Sequence, residues 1–171
     1  HEGIERIIEI VKALRSFSYP GSGKHTQISA IEAMNTVIKL TNNLHRYRNN
    51  VVFEVPREDV FFNGNSGQIQ QVLMNFLTNA IYATPQGKGI TLKVERDEQN
   101  VILVIDDEGE GMSKETLSKI FTPFFTTKPP GEGTGLGMSI SMTIVEQHNG
   151  KIIIASEEGK GTKVSVILPI A

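Results

Sequence analysis

The stretch Gln68-Ile69-Gln70-Gln71-Val72-Leu73-Met74-Asn75-Phe76-Leu77-Thr78-Asn79-Ala80-Ile81-Tyr82-Ala83 carries two patterns at one period. Ile69, Val72, Leu73, Phe76, Leu77 and Ala80 fall on one broad face, the spacing of an amphipathic helix. Gln71, Asn75 and Asn79 recur at i, i+4 and i+8, so their amides form a line beside that face. The helix is predicted over residues 67–84, ended by Pro85 and Gly87. Two Asn one turn apart point the same way. A side-chain amide oxygen is a hard, neutral ligand that suits Mg²⁺ already carrying phosphate oxygens and water. A plain solvated helix face is the alternative.

Outward from this helix, the C-terminal side reads as a hairpin. Strands at 90–95 and 101–106 flank a turn at 97–100. Residues 107–137 are rich in Gly, Pro and Thr, with a short helix near 114–120. A further helix covers 137–148 and closes at Asn149-Gly150. Strands at 151–156 and 163–168 finish the chain. On the N-terminal side, Pro56 separates two short strands at 51–55 and 60–62. Ser29 is placed to cap a helix running to about Arg48, with Ile31, Met34, Ile38 and Leu44 on its buried face. Ser18-Tyr19-Pro20-Gly21-Ser22-Gly23 is a breaker cluster. Before it, Ile4, Ile7, Ile8, Val11 and Leu14 mark a helical stripe over 3–17, which we assign to a neighbouring module, so the globular domain is expected to begin near Ile28. Helices grouped with a mostly antiparallel sheet give an α+β two-layer sandwich.

The composition bounds the function. A chain of 171 residues with 17 Lys+Arg against 19 Asp+Glu is long enough for its own core and carries too little positive charge for a dedicated nucleic-acid binder. It has no Cys, which removes disulfides, thiolate metal sites and a Cys nucleophile. Its apolar runs are too short to span a bilayer.

Two further constellations carry chemistry. Asp107-Glu108-Gly109-Glu110-Gly111-Met112 follows an apolar strand directly. Two Gly let the backbone turn tightly against a flat ligand, and an Asp there can accept a hydrogen bond from an exocyclic amine such as that of adenine; a plain acidic turn is the alternative. A calcium loop fails, because Leu117 stands where the bidentate Glu is needed. The second is Thr126-Thr127-Lys128-Pro129-Pro130-Gly131-Glu132-Gly133-Thr134-Gly135-Leu136-Gly137, which opens onto a helix. Its unshielded N–H groups, the helix N-terminus and Lys128 can wrap a polyphosphate; the alternative is a surface loop with no ligand. The Walker A pattern fails, since Gly23-Lys24 is followed by His25 and Ser18 stands at the first Gly position. The dinucleotide fingerprint fails for want of a strand before the Gly-rich turn. None of the four His sits in a nucleophile setting.

In this order the motifs resemble the catalytic ATP-binding domain of sensor histidine kinases. Residues 70–80 resemble the family's N box, 107–112 its G1 box, 120–128 its F box, 133–138 its G2 box, and Gly159-Lys160-Gly161-Thr162 its last glycine motif. The resemblance implies the Bergerat ATP-binding fold, with a mixed, mostly antiparallel sheet packed on three helices. It divides the chain into the end of a dimerisation helix (1–19), a linker (20–27) and the ATP-binding domain (28–171). It implies ATP and Mg²⁺ as cofactors and Asn79 as the metal ligand, with Asn75 near the same phosphates. Asp107 would bind the adenine amine, Gly109 and Gly111 would shape the pocket wall, and Met112 would contact the base. Residues 121–125 would brace a lid over the ligand. Thr127, Lys128, Gly133, Thr134, Gly135, Leu136 and Gly137 would hold the triphosphate, and Thr162 would sit on the adenine side.

Relatives that hydrolyse ATP carry a Glu one turn before the Mg²⁺ Asn. Here that position is Asn75, which cannot act as a general base, so phosphoryl transfer to a His is favoured over hydrolysis. A hydrolysing ATPase and a non-catalytic nucleotide-binding module are the alternatives. The family often has a cation one turn after the Mg²⁺ Asn, where this chain has Tyr82. No His-Glu-x-x-x-Pro phosphoacceptor motif is present, so no catalytic residue is assigned and the accepting His is expected outside this fragment. The implied partners are the dimerisation helices of the same protein, as a homodimer, and a response-regulator receiver domain, with no nucleic acid. The implied location is cytoplasmic, in a protein free to be membrane-anchored elsewhere.

Overall fold

The structure is a computed structural model that describes residues 25–171. The helix expected over 3–17, the division at 1–19 and most of the linker at 20–27 lie outside the described residues. Strand β1 (Thr26–Ser29) starts within the last residues of that linker. Then follow α1 (Ala30–His45), β2 (Asn50–Glu54), β3 (Phe61–Gly64), α2 (Ser66–Ala83), β4 (Gly89–Arg96) and β5 (Asn100–Asp107). The chain ends with α3 (Lys114–Lys119), α4 (Gly137–Gln147), β6 (Lys151–Glu157) and β7 (Gly161–Pro169).

The main sheet has five strands in the order β2-β4-β5-β7-β6. Only β2 and β4 run parallel. One sheet face buries Ile90, Leu92, Val94, Leu103, Ile105, Val164, Val166 and Leu168, and the other carries polar side chains such as Thr91, Lys93 and Lys163. That alternation leaves one layer of helices on one face, so the sandwich has two layers as expected. Helix α2 lies between α1 and α4 and buries Ile69, Val72, Leu73, Phe76, Leu77, Ala80 and Ile81. Each large one of these stabilises the fold by roughly 1.5–3 kcal/mol against exposure.

Local caps follow the sequence. Ser29 Oγ accepts from Glu32 N–H at 2.9 Å to start α1, and Asn65 Oδ1 accepts from Gln68 N–H at 3.1 Å to start α2. The buried face of α1 differs from the expected one. Met34 is buried, but Leu44 is 53% exposed, and Ile31 and Ile38 are only half-buried. The buried positions are instead Ala30, Met34, Val37, Thr41 and His45. Two polar residues can sit there because they bond back to their own helix: Thr41 Oγ1 donates to the Val37 carbonyl at 2.9 Å and His45 Nε2 to the Ile38 carbonyl at 3.3 Å. The strand expected at 60–62 is β3, shifted to Phe61–Gly64 and paired antiparallel with β1.

The register of the central strands prepares the site. Asp107 at the end of β5 pairs with Thr162 at the start of β7, and Asp106 pairs with Lys163. Alternation along β5 places the Asp107 side chain on the helix-covered face, beside the C-terminal half of α2.

Candidate functional site

A cavity of ≈ 550 Å³ opens between α2, the ends of β5 and β7, and the loop from Ile120 to Gly137. At its inner end Asp107 is only 6% exposed. Its Oδ1 accepts from the N–H of Gly109 at 2.8 Å and of Thr162 at 3.3 Å. Oδ2 has no partner among the described residues. Burial pushes this carboxyl above the usual Asp value, although its two N–H donors pull the other way. The carboxylate is thus fixed by one oxygen and offers the other as an acceptor.

Around it the backbone is tightly threaded. Gly111 has φ +67°, and a Cβ there would strike the Glu157 carbonyl; Gly161, at φ +117°, has the Asp107 carbonyl in the same position. Met112 N–H donates to Ser156 Oγ at 2.9 Å, and Ser156 Oγ lies 2.8 Å from Thr162 Oγ1. These bonds anchor the 107–112 turn to the hairpin of β6 and β7.

At the other end of the cavity α2 presents its amides. Asn75 Nδ2 donates to Ser141 Oγ at 3.1 Å, and Asn79 Nδ2 reaches Met138 Sδ at 3.7 Å. Both nitrogens are therefore turned toward α4. The Asn79 oxygen accepts from Lys128 Nζ at 3.2 Å. Lys128 also lies over the Tyr82 ring, 4.4 Å from its centroid. Burial lowers the Lys128 pKa, with Glu132 opposing that shift. A cation thus meets the neutral Asn79 oxygen.

The glycine-rich loop closes over this end. A Cβ on Gly133 would come within 2.8 Å of Thr126 Oγ1, and Gly137 leaves no room for a Cβ beside the Asn75 amide. Gly135 has φ +69° and packs on the backbone of Phe124, whose N–H donates to the Gly135 carbonyl at 2.9 Å. Segment 121–125 thus braces the loop through its main chain. The Phe124 ring is 62% exposed, while Phe125 lines the cavity.

Of the expected site residues, Asn75, Asn79, Asp107, Gly111, Met112, Thr127, Lys128, Gly133, Thr134, Gly135, Gly137 and Thr162 all line this one cavity. Gly109 and Leu136 do not. Gly109 is packed behind the Asp107 carboxylate against the Ala83 carbonyl, and the Leu136 side chain joins the hydrophobic core. Gln71 is exposed and takes no part. Sequence reading missed Met138, Ser141 and Glu132. Their signal was weak: Met138 and Ser141 lie one turn apart at the start of α4, and only the docking of α4 on α2 aims them at the Asn pair.

An acceptor at one end, a cation beneath the glycine-rich loop at the other and apolar Ile105, Ile154 and Val164 in the lining fit a flat, amine-bearing ring joined to an anionic tail. Comparison with known proteins agrees. Residues 64–171 match the family described as histidine kinase-, DNA gyrase B-, and HSP90-like ATPase. The chain is 41% identical over 113 residues to Sensor protein DegM of Bacillus sp. (strain B21-2), covering 66% of this chain and 30% of the relative. It therefore spans less than a third of that protein. It superposes on the nucleotide-free catalytic domain of histidine kinase ThkA with a TM-score of 0.76 at 31% identity, covering 85% of this chain and 97% of that one. A second ThkA structure, in complex with response regulator protein TrrA, matches with a TM-score of 0.81 at 28% identity, over 99% of this chain and 48% of that one. The chain belongs to the histidine kinase-, DNA gyrase B- and HSP90-like ATPase family, on the branch of the histidine kinase catalytic domains.

Proposed function

We propose that this chain is the ATP-binding catalytic domain of a two-component sensor histidine kinase. It binds Mg-ATP and donates the γ-phosphoryl group to a His outside the chain, for onward transfer to a response-regulator Asp. The observation that carries this reading is the one cavity lined by Asp107 at its inner end and by Asn79 and Lys128 at the end beneath the glycine loop. Asp107 Oδ2 accepts from the adenine amine while Oδ1 stays on Gly109 and Thr162. Met112 and Gly111 flank the base. Lys128, Thr127 and the N–H groups around Gly133, Thr134, Gly135 and Gly137 hold the phosphates.

The residues fit a Mg²⁺ ion bound together with the nucleotide. Asn79 supplies one neutral oxygen that already accepts a cation. Among the described residues no group of three His, Cys, Asp or Glu could hold a metal by itself, so the remaining ligands come from phosphates and water, the usual arrangement for Mg²⁺. When bound, the ion screens the phosphate charge and helps fix the γ-phosphate in line with its acceptor.

Transfer then needs little from side chains beyond position and charge. The imidazole nitrogen lone pair attacks the γ-phosphorus. The bond from that phosphorus to the bridging oxygen breaks, and its electron pair leaves on ADP. No carboxylate stands on α2 to activate water, because the Asn75 amide occupies that place and is tied to Ser141. The ThkA complex supports a receiver domain as the onward acceptor. No helix among the described residues is long and apolar enough to cross a membrane. The test is incubation with γ-labelled ATP, Mg²⁺ and a separately supplied dimeric phosphoacceptor domain. Acid-labile label on that domain, none on this chain and slow phosphate release are expected. Rapid phosphate release with no protein label would support a hydrolysing ATPase instead.

A further inference from the structure

We propose that Tyr82 is a positioning residue that keeps the ammonium of Lys128 available for phosphates by holding Lys128 and Glu132 apart. The inference rests on the nucleotide reading above and adds a residue to it. Tyr82 lies on α2 one turn after Asn79, whereas Lys128 and Glu132 both come from the glycine-rich loop. Four residues apart on one loop, a Lys and a Glu are close enough to pair. They do not pair here: among the described residues Lys128 forms no ion pair. The Tyr82 hydroxyl donates to Glu132 Oε2 at 3.1 Å, and the face of the same ring carries Lys128 Nζ at 4.4 Å. One side chain thus engages the carboxylate with its edge and the ammonium with its face.

The consequence is electrostatic. A paired Lys128 would bring a neutral unit to the triphosphate and would have to break an ion pair to bind it. Held by a ring and by the neutral oxygen of Asn79 rather than by a carboxylate, the ammonium lies at the mouth of the phosphate end. Desolvation beside the loop and then the Glu132 carboxylate raise the Tyr82 pKa, so the hydroxyl remains a donor. Tyr82 is 46% exposed and outside the core, so its role is in holding the loop rather than in packing the fold.

Calorimetry of the whole chain with MgATP and with adenosine tests this. Tyr82→Leu removes both contacts and is expected to weaken MgATP binding about five-fold while leaving adenosine binding unchanged. Combined with Lys128→Ala, it should cost nothing further, because the ring acts through that ammonium. Tyr82→Phe keeps the ring but frees Glu132. It should show a loss that Glu132→Gln restores. Unchanged MgATP affinity in Tyr82→Leu, an additive double variant, or failure of Glu132→Gln to rescue Tyr82→Phe would each overturn the proposal. A parent chain that binds adenosine but not MgATP would refute the nucleotide reading itself, and this proposal with it.

Discussion

Replacing Asp107 by Asn changes one atom and reverses what the site offers its ligand. Oδ1 of Asp107 accepts from two backbone N–H groups, of Gly109 at 2.8 Å and of Thr162 at 3.3 Å. An Asn must keep its oxygen there, because the flipped amide would set an NH₂ against two donors. Its NH₂ then occupies the place of Oδ2 and meets the adenine amine donor to donor. The lost bond is charge-assisted and worth about 1.5–3 kcal/mol, a loss of about 10- to 150-fold in ATP affinity. ITP, which carries a carbonyl acceptor where ATP carries the amine, should bind the variant better than it binds the parent. Stability should move the other way. Burial raises the folded pKa of Asp107 above its ordinary 3.8, so on acidification the folded chain takes up this proton before the unfolded chain does. The group therefore adds stability as pH falls through that raised value toward 3.8, and costs stability at neutral pH. Asp107→Asn removes the cost and should leave the melting temperature at pH 7 equal or higher. Calorimetric titration with ATP and ITP, paired with thermal unfolding, reads both effects. Undiminished ATP affinity in the variant would refute the assignment of Asp107 to the adenine amine.

Three other outcomes follow from the same geometry. Asn79→Ala should remove most of the gain in ATP affinity that Mg²⁺ gives the parent, a loss of about ten-fold seen only with the metal present; equal losses in Mg²⁺ and in EDTA would contradict the metal role. Gly135→Ala forces a side chain into φ +69° with its Cβ 2.6 Å from the Phe124 carbonyl oxygen. It should weaken ATP but spare adenosine, which calorimetry distinguishes. Burial holds His148 below its ordinary 6.5, and its Nε2 accepts from Asn65 N–H at 3.0 Å at the start of α2. The unfolded chain therefore protonates first, and denaturant midpoints should fall as pH drops below about 6.5, a slope that His148→Gln reduces.

Much of the fold was legible where period and punctuation agreed. In α2 the apolar stripe and the Pro85 stop point to the same helix, and its Asn65 cap came with the structure. The hairpin of β4 and β5 follows from alternation around the Asp97 turn, whose carboxylate accepts from Gln99 and Asn100 N–H groups. In α1 the stripe was ambiguous, because Leu44 and Ile38 look like core while the buried Thr41 and His45 are polar and hide their satisfaction within the helix. The pairing of β1 with β3 was not legible, since four-residue strands carry too little alternation and their register depends on contacts across 32 to 38 positions. The same division holds in the site. Asp107, Asn79 and the loop glycines announce themselves by residue type and order. Tyr82, Glu132, Met138 and Ser141 acquire their parts only when the loop and α4 close on α2.

The most direct measurement is a crystal structure of this chain with Mg²⁺ and a non-hydrolysable ATP analogue. The expected density places the purine amine on Asp107 Oδ2, a metal on Asn79 Oδ1 in place of the Lys128 ammonium, and the phosphates beneath the 126–137 loop. A purine away from Asp107, or phosphates that leave Lys128 on Asn79 with no metal between them, would contradict the central claim.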